Sequence, residues 1–438
     1  MSEIKAGVVY RPDEKFNDPN QLGRTLTRRI LPTVSSPARY IGGELGARRE
    51  GFDSQKANIM LAFPDAYEIG MSHQGVRLLY HLLMDRDDTF CDLVYTPWPD
   101  CEEAMRGEKM PLFGLESRRP AGSFDVIGFS LGYELAYSNM LTMIDLAGSP
   151  ILAKDRTEDD PIFIAGGSCT MNPTVVGPFL DVIFLGDGEE AVLDVARLTA
   201  EQKKTGASRA DLLEKLRALE GAWHPGVTGK IRMRVVQDLG AYPPPKQLVP
   251  VMEPVHDRLA LEVMRGCVRG CRFCQAGMIT RPVRERNPED LVKAAVEGIA
   301  ESGYSEVSLL SLSTSDFSGL SSTVAGIQDQ MVDKRTNLVL PSLRVDSVDA
   351  ELYERISNER PSNFTFAPEA GSQRLRDVIN KNITEDDIIG TARQAFDSGV
   401  KGVKLYFMIG LPTETNEDLD ELVALVGKVV GVAPRGGS

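Results

Sequence analysis

The stretch Glu262-Val-Met-Arg-Gly-Cys267-Val-Arg-Gly-Cys271-Arg-Phe-Cys274 gathers three of the chain's six cysteines into eight residues, spaced Cys-x3-Cys-x2-Cys. Three thiolates so close can hold three irons of a cubane cluster. A four-iron cluster ordinarily takes four thiolates, so one iron stays open to a small-molecule ligand. Gly266 and Gly270 let the backbone wrap tightly around such a group. The preceding apolar run, Leu259 to Met264, reads as a strand. The cysteines then sit at a strand's carboxyl end, where α/β barrels carry their chemistry. Structural zinc fits this spacing poorly, because it wants four ligands in paired Cys or His arrangements. The nearest histidine, His256, precedes the strand, and no second cysteine pair follows.

Working downstream, Asn287-Pro288 opens a helix, with asparagine as cap and proline at the first helical position. Apolar runs at 307–312, 338–344, 363–368 and 403–409 then read as the second to fifth strands. Thr415 and Asp418 form a capping pair for the helix after the fifth. Five strand–helix units in order predict a partial parallel (β/α) barrel without its sixth unit. The chain's turn-like ending, Gly431 to Ser438, leads to the expectation that a separate polypeptide or a longer gene product completes it.

The cysteine loop, with the aromatic Phe273 before its last cysteine and a strand before its first, resembles the signature of the radical S-adenosylmethionine superfamily. The resemblance implies a [4Fe-4S] cluster on Cys267, Cys271 and Cys274, with its open iron chelated by S-adenosylmethionine. It further implies reductive cleavage of that cofactor to a 5′-deoxyadenosyl radical acting on an unknown substrate, with reduced flavodoxin or ferredoxin as electron donor. Other candidate cofactor contacts follow from position relative to the loop. Phe273 lies within it. Ser311, Ser313 and Ser315 with Asp316 stand where related enzymes grip the amino group. Arg344 at the third strand's end suits the carboxylate. Glu369, opening Glu-Ala-Gly-Ser372, resembles the ribose-contacting region. Gly410 in Ile-Gly-Leu-Pro412 resembles the adenine-contacting turn.

Upstream, strands at 58–63, 93–95, 124–129, 161–165 and 182–185 alternate with helices at 73–84, 134–146, 189–203 and 207–222. That alternation predicts a doubly wound parallel sheet over 57–205. Glycine-rich strand ends (Gly166-Gly-Ser168 and Gly186-Asp-Gly188-Glu189), together with Phe129-Ser130, resemble the amino-terminal cobalamin-binding domain of many radical S-adenosylmethionine enzymes. Cobalamin is therefore carried as a candidate cofactor. The usual cobalt-ligand motif, Asp-x-His-x-x-Gly, is broken at His73, which has Met71 and Val76 at the flanking positions. Cys91, Cys101 and Cys169 invite comparison with methylthiotransferases, whose three scattered cysteines hold a second cluster. The spacing here differs, and burial as small apolar residues is the favoured reading.

The domain reading is a 1–56 extension, the 57–205 sheet domain, a 206–256 helix and linker with an antiparallel strand at 231–236, and a 257–438 core. A net charge of −14 argues against general nucleic-acid affinity. The local run of six arginines between 265 and 286, against Glu285 alone, reads as a solvated loop or as a surface for an acidic electron donor. No membrane span or secretory leader is expected, and a reducing cytoplasm suits the free thiols. The leading function is a radical S-adenosylmethionine enzyme. The alternatives are a methylthiotransferase-like RNA modifier and an iron–sulfur carrier or regulator that never cleaves S-adenosylmethionine.

Overall fold

The computed structural model describes residues 10–246, 248–331, 336–340, 364–397, 399 and 402–434. The chain divides into two compact units, Met1–Gln237 with Pro245–Asp257, and Asp238–Pro244 with Arg258–Ser438.

The first unit is built on a six-stranded sheet. Its strands are β1 (Ala57–Phe63), β2 (Thr89–Tyr95), β3 (Val126–Ser130), β4 (Ile162–Gly166), β5 (Val182–Phe184) and β6 (Ala222–Trp223), in the order β2-β1-β3-β4-β5-β6. The first five are parallel, and β6 runs antiparallel to β5. The parallel strands are almost wholly buried, as strands covered on both faces must be. Two apolar clusters cover the two faces. One is centred on Ile59, Leu93 and Val195, the other on Met60, Phe129 and Met143. The order of the first five strands puts the topological switch between β1 and β3.

Two expectations for this unit need correction. The helix expected over 207–222 spans only Arg209–Arg217. Gly221 turns the chain back through a left-handed φ of +78°, and Ala222–Trp223 joins the sheet edge. The antiparallel strand expected at 231–236 is a single parallel bridge, Gly186 to Arg234. There Arg234 N donates to Leu185 O at 3.0 Å and Asp187 N to Arg234 O at 2.9 Å.

A buried ionic knot ties the chain around β4 and β5. Asp181 accepts from Arg156 at 2.7 Å and from Arg209 at 3.0 Å, with the Asp181 and Arg156 side chains 2% and 0% exposed. The carboxylate also accepts from Phe163 N at 2.8 Å. Removing it strands a buried guanidinium, so Asp181→Ala is expected to cost about 3–5 kcal/mol. Urea unfolding would show this as a lowered midpoint at unchanged slope.

The second unit carries β7 (Leu259–Glu262), β8 (Met264–Arg265), β9 (Arg284–Glu285), β10 (Glu306–Leu310), β11 (Asn337–Val339), β12 (Phe364–Glu369) and β13 (Val403–Phe407). Strands β11-β10-β7 form one parallel sheet and β12-β13 another. Helix Pro288–Ser302 follows β9, Leu320–Met331 follows β10, Gln373–Val378 and Glu385–Asp397 follow β12, and Asn416–Gly431 follows β13. The third strand, expected to reach Arg344, is described only as β11, and Arg344 lies outside the described residues. In β12 the register slips between Phe366 and Glu369, around Pro368, which has no N–H to give a ladder. No helix among the described residues is long and apolar enough to cross a membrane.

Candidate metal and cofactor site

The cysteine loop is an excursion clasped at its base. Met264 and Arg265 of β8 pair antiparallel with Glu285 and Arg284 of β9, closing residues 266–283 into one loop. Gly266 enters it at φ +92°, with the spot a Cβ would occupy only 2.7 Å from Pro282 O and 2.9 Å from Thr280 O. The loop's arginines, which in the sequence read as free positive charge, are mostly its pins. Arg265 meets Glu262 at 2.8 and 3.0 Å. The buried Arg286 meets the same carboxylate at 3.3 Å and the carbonyls of Leu239 and Tyr242 at 2.6 and 2.9 Å. The buried Arg284 donates to Pro282 O and Thr280 O at 3.1 and 3.0 Å. Arg269 pairs with Asp316, its Nε 2.8 Å from Oδ2. Arg272 donates through its guanidinium to Val378 O.

Cys267, Cys271 and Cys274 are half-buried, whereas Cys91, Cys101 and Cys169 are buried. Cys267 Sγ accepts from Arg269 N at 3.5 Å, and Cys274 Sγ from Gly277 N at 3.3 Å. Backbone N–H groups aimed at sulfur suit thiolates that ligate an iron–sulfur cluster. Gly277 is buried, and a Cβ there would lie 3.5 Å from Cys274 Sγ and 3.9 Å from Cys267 Cβ. Those two cysteines therefore flank one position with no side chain, a detail that sequence reading missed. Among the described residues no group of three or more His, Cys, Asp or Glu is gathered as ligands for a single metal ion. The donor set nevertheless fits a cluster, with three accessible thiols on a loop clasped at its base and N–H donors for two of them.

The amino-terminal cysteines lie in three separate apolar clusters. Burial pushes the Cys101 thiol up to about 12, and it raises Cys91 well above the ordinary thiol value, with Asp92 adding to it. Cys169 is raised too, by burial and then by Glu134.

The remaining candidates cluster around the loop to different degrees. Ser313 is 3% exposed at the end of β10, and its Oγ meets no hydrogen-bond partner among the described residues. Its neighbour Ser311 is occupied by Thr314, 3.0 Å away. Glu369 closes β12 with φ +67°, a conformation costly for a residue with a Cβ. Its carboxylate holds Lys381 Nζ at 3.1 Å, and that ammonium sits 5.9 Å from the centre of the Phe273 ring. Phe273 and Glu369 are thus brought together through a lysine that the sequence did not single out. Gly410 lies in an exposed turn at φ +86°, its N–H donating to Glu414 at 2.6 Å. The next residue, Leu411, is buried against Ala370, Leu375 and Ile379, which seats that turn beside the Glu369 segment.

In the first unit two of the strand-end glycines, Gly186 and Gly167, lie against the chain's own backbone. A Cβ on Gly186 would lie 2.1 Å from Arg234 O, and one on Gly167 2.5 Å from Leu131 O. Asp187 accepts from Val236 N at 2.8 Å. His73 caps helix Gln74–Met84 through Nδ1, which accepts from Val76 N at 3.2 Å, and burial lowers its pKa.

Comparison with known proteins places these features. Residues 261–426 match the family described as the radical SAM superfamily, and residues 75–225 match the one described as radical SAM proteins, N-terminal. An uncharacterized protein of Methanocaldococcus jannaschii is 30% identical over 387 residues, covering 85% of this chain and 74% of that one. The ribosomal protein uS12 methylthiotransferase of Dictyoglomus thermophilum is 23% identical over 176 residues, 38% of this chain and 39% of its own length. Among solved structures, the radical S-adenosylmethionine methyltransferase TsrM from Kitasatospora setae superposes with a TM-score of 0.60 at 12% identity, over 86% of this chain and 72% of that one. The cobalamin-dependent S-adenosylmethionine radical enzyme OxsB gives 0.60 at 13%, over 91% of this chain and 56% of its own. The chain thus spans just over half of OxsB and about two-fifths of the methylthiotransferase, and at these identities the structural likeness is one of fold. Both units are matched in order and a relative is similar along most of its length: the protein belongs to the radical S-adenosylmethionine superfamily of enzymes.

Proposed function

We propose that this chain holds a [4Fe-4S] cluster on Cys267, Cys271 and Cys274 and is an S-adenosylmethionine-cleaving enzyme acting on a substrate still to be found. The observation that carries the reading is the clasped loop with three half-buried thiols at the end of β7, beside the ends of β10 and β12. When bound, the cluster and S-adenosylmethionine supply a one-electron reductive cleavage that yields a hydrogen-abstracting 5′-deoxyadenosyl radical. The protein's residues hold and orient. Asp316 fixes Arg269 and so the first half of the loop. Ser313 offers a buried hydroxyl with no described partner, suited to a polar group of the cofactor. Glu369 and the Gly410 turn border the same region, in keeping with ribose and adenine contacts. Enzymes of the superfamily generally take electrons from flavodoxin or ferredoxin, and either is the donor proposed here.

The methylthiotransferase reading has less support. Its three amino-terminal cysteines are buried in three different cores, and the matched relatives cover about two-fifths of the chain. Cobalamin is the cofactor named for OxsB. Here Gly167 and Gly186 are packed against the chain's own backbone while Gly166 and Gly188 are not, and support for cobalamin comes from the fold.

Anaerobic reconstitution followed by reduction tests the proposal. About four irons per chain and slow conversion of S-adenosylmethionine to 5′-deoxyadenosine and methionine are expected. A loaded, reduced protein that forms no 5′-deoxyadenosine, and whose spectrum ignores S-adenosylmethionine, would favour a carrier or regulator. Cobalt at one per chain in the same analysis would add cobalamin.

A further inference from the structure

We propose that Lys381 is a positioning residue for the cluster, setting the charge beside it through Phe273 and Glu369. The proposal rests on the assignment of the cluster to the three loop cysteines. Phe273 lies between two of those cysteines. Lys381 Nζ is 5.9 Å from its ring centre and 3.1 Å from Glu369 Oε1. The lysine and glutamate side chains are only 13% and 16% exposed, so solvent screens the pair little. Thus one cation is shared between an aromatic ring of the cysteine loop and a carboxylate at the end of β12.

The backbone around this lysine is fastened to the loop on both sides of Cys271. Ile379 O accepts from Arg272 N at 3.0 Å, and Asn380 Nδ2 donates to Gly270 O at 2.9 Å. The Arg272 guanidinium reaches Val378 O. Glu369, Asn380 and Asn382 all have left-handed φ, at +67°, +56° and +52°. Asparagine tolerates that conformation; glutamate does so rarely, and such a residue persists only where its surroundings over-determine it. The turn between helices Gln373–Val378 and Glu385–Asp397 therefore delivers Lys381 to Phe273 by a rigid path. An ion pair needed only for stability would not require this path, since it could form anywhere on the surface.

The consequence is electrostatic and has a sign. Reduction adds an electron to a group already rich in thiolate charge, and a nearby cation stabilises the reduced form. Lys381→Met leaves Glu369 uncompensated and should move the cluster's midpoint potential to a more negative value. Glu369→Gln leaves the lysine uncompensated and should move it to a more positive one. The double variant should return close to the parent protein, and Lys381→Arg should match it. The measurement is an anaerobic potentiometric titration followed by electron paramagnetic resonance, with iron content determined on each sample. Opposite shifts that cancel in the double variant are expected. Shifts of the same sign, or none in either single variant, would overturn the proposal and assign the pair to stability alone. If Lys381→Met loses its iron, Glu369→Gln decides the matter by whether its potential rises. If the parent protein takes up no cluster, it is the cysteine assignment that falls, a result distinguishable from unchanged potentials in loaded protein.

Discussion

Replacing any one of Cys267, Cys271 or Cys274 by alanine is expected to bring iron from about four per chain to near zero. The effect is nearly all-or-none, because a cubane on three thiolates has no protein ligand to spare. The same replacement at Cys91, Cys101 or Cys169 should leave iron content unchanged. Each of those thiols is enclosed in a different apolar cluster, so no two of them are placed to share one iron–sulfur group. Alanine there removes one sulfur from a packed core, which costs roughly 1 kcal/mol of stability. Iron and acid-labile sulfide determined on all six reconstituted variants would separate the two sets. About eight irons in the parent chain, with four lost in the Cys91 or Cys169 variant, would instead establish a second cluster.

The cysteine loop, its preceding strand and the alternation of strands and helices are local patterns, and the structure reproduces their order. What the sequence could not show depends on partners distant along the chain. Glu262, just before the arginine run, serves both Arg265 and Arg286, but the run's other partners are distant. Asp316 lies 47 residues from Arg269, and the carbonyls that hold Arg286 belong to Leu239 and Tyr242. Strand β6 reads as helix in the sequence because two residues carry no periodicity, and only the left-handed Gly221 betrays the turn. Lys381 meets Phe273 through tertiary contact alone. The one local trace is the pair of asparagines flanking it, a residue type common at left-handed positions. Gly186 and Gly167 read as openings for a ligand; the structure shows each accommodating the chain's own backbone, a distinction that needs coordinates.

Glycines in the cysteine loop can be sorted the same way, and the sorting gives a second large effect. Gly266 and Gly270 both have left-handed φ, at +92° and +75°. An alanine at either position carries the left-handed penalty of about 1–2 kcal/mol. The surroundings then separate them. At Gly270 a new Cβ would meet only the tips of Arg281 and Asn380, at 3.4 and 3.6 Å, ordinary contact distances. At Gly266 it would press on backbone, 2.7 Å from Pro282 O, 2.9 Å from Thr280 O and 3.0 Å from Val283 Cα. Backbone cannot swing aside as a side chain can, so the clasp between β8 and β9 must open. Overpacking of this kind adds about 1–3 kcal/mol. The whole cost at Gly266 is then roughly 2–5 kcal/mol, concentrated in the hinge that closes the loop. Gly266→Ala is expected to fold in both units, give a normal far-ultraviolet spectrum, and take up less than one iron per chain. Gly270→Ala should load close to the parent level. Iron content of the two proteins, reconstituted side by side, is the measurement. Equal loading would mean that the clasp is not what holds the three thiols in place, because only Gly266 lies under it.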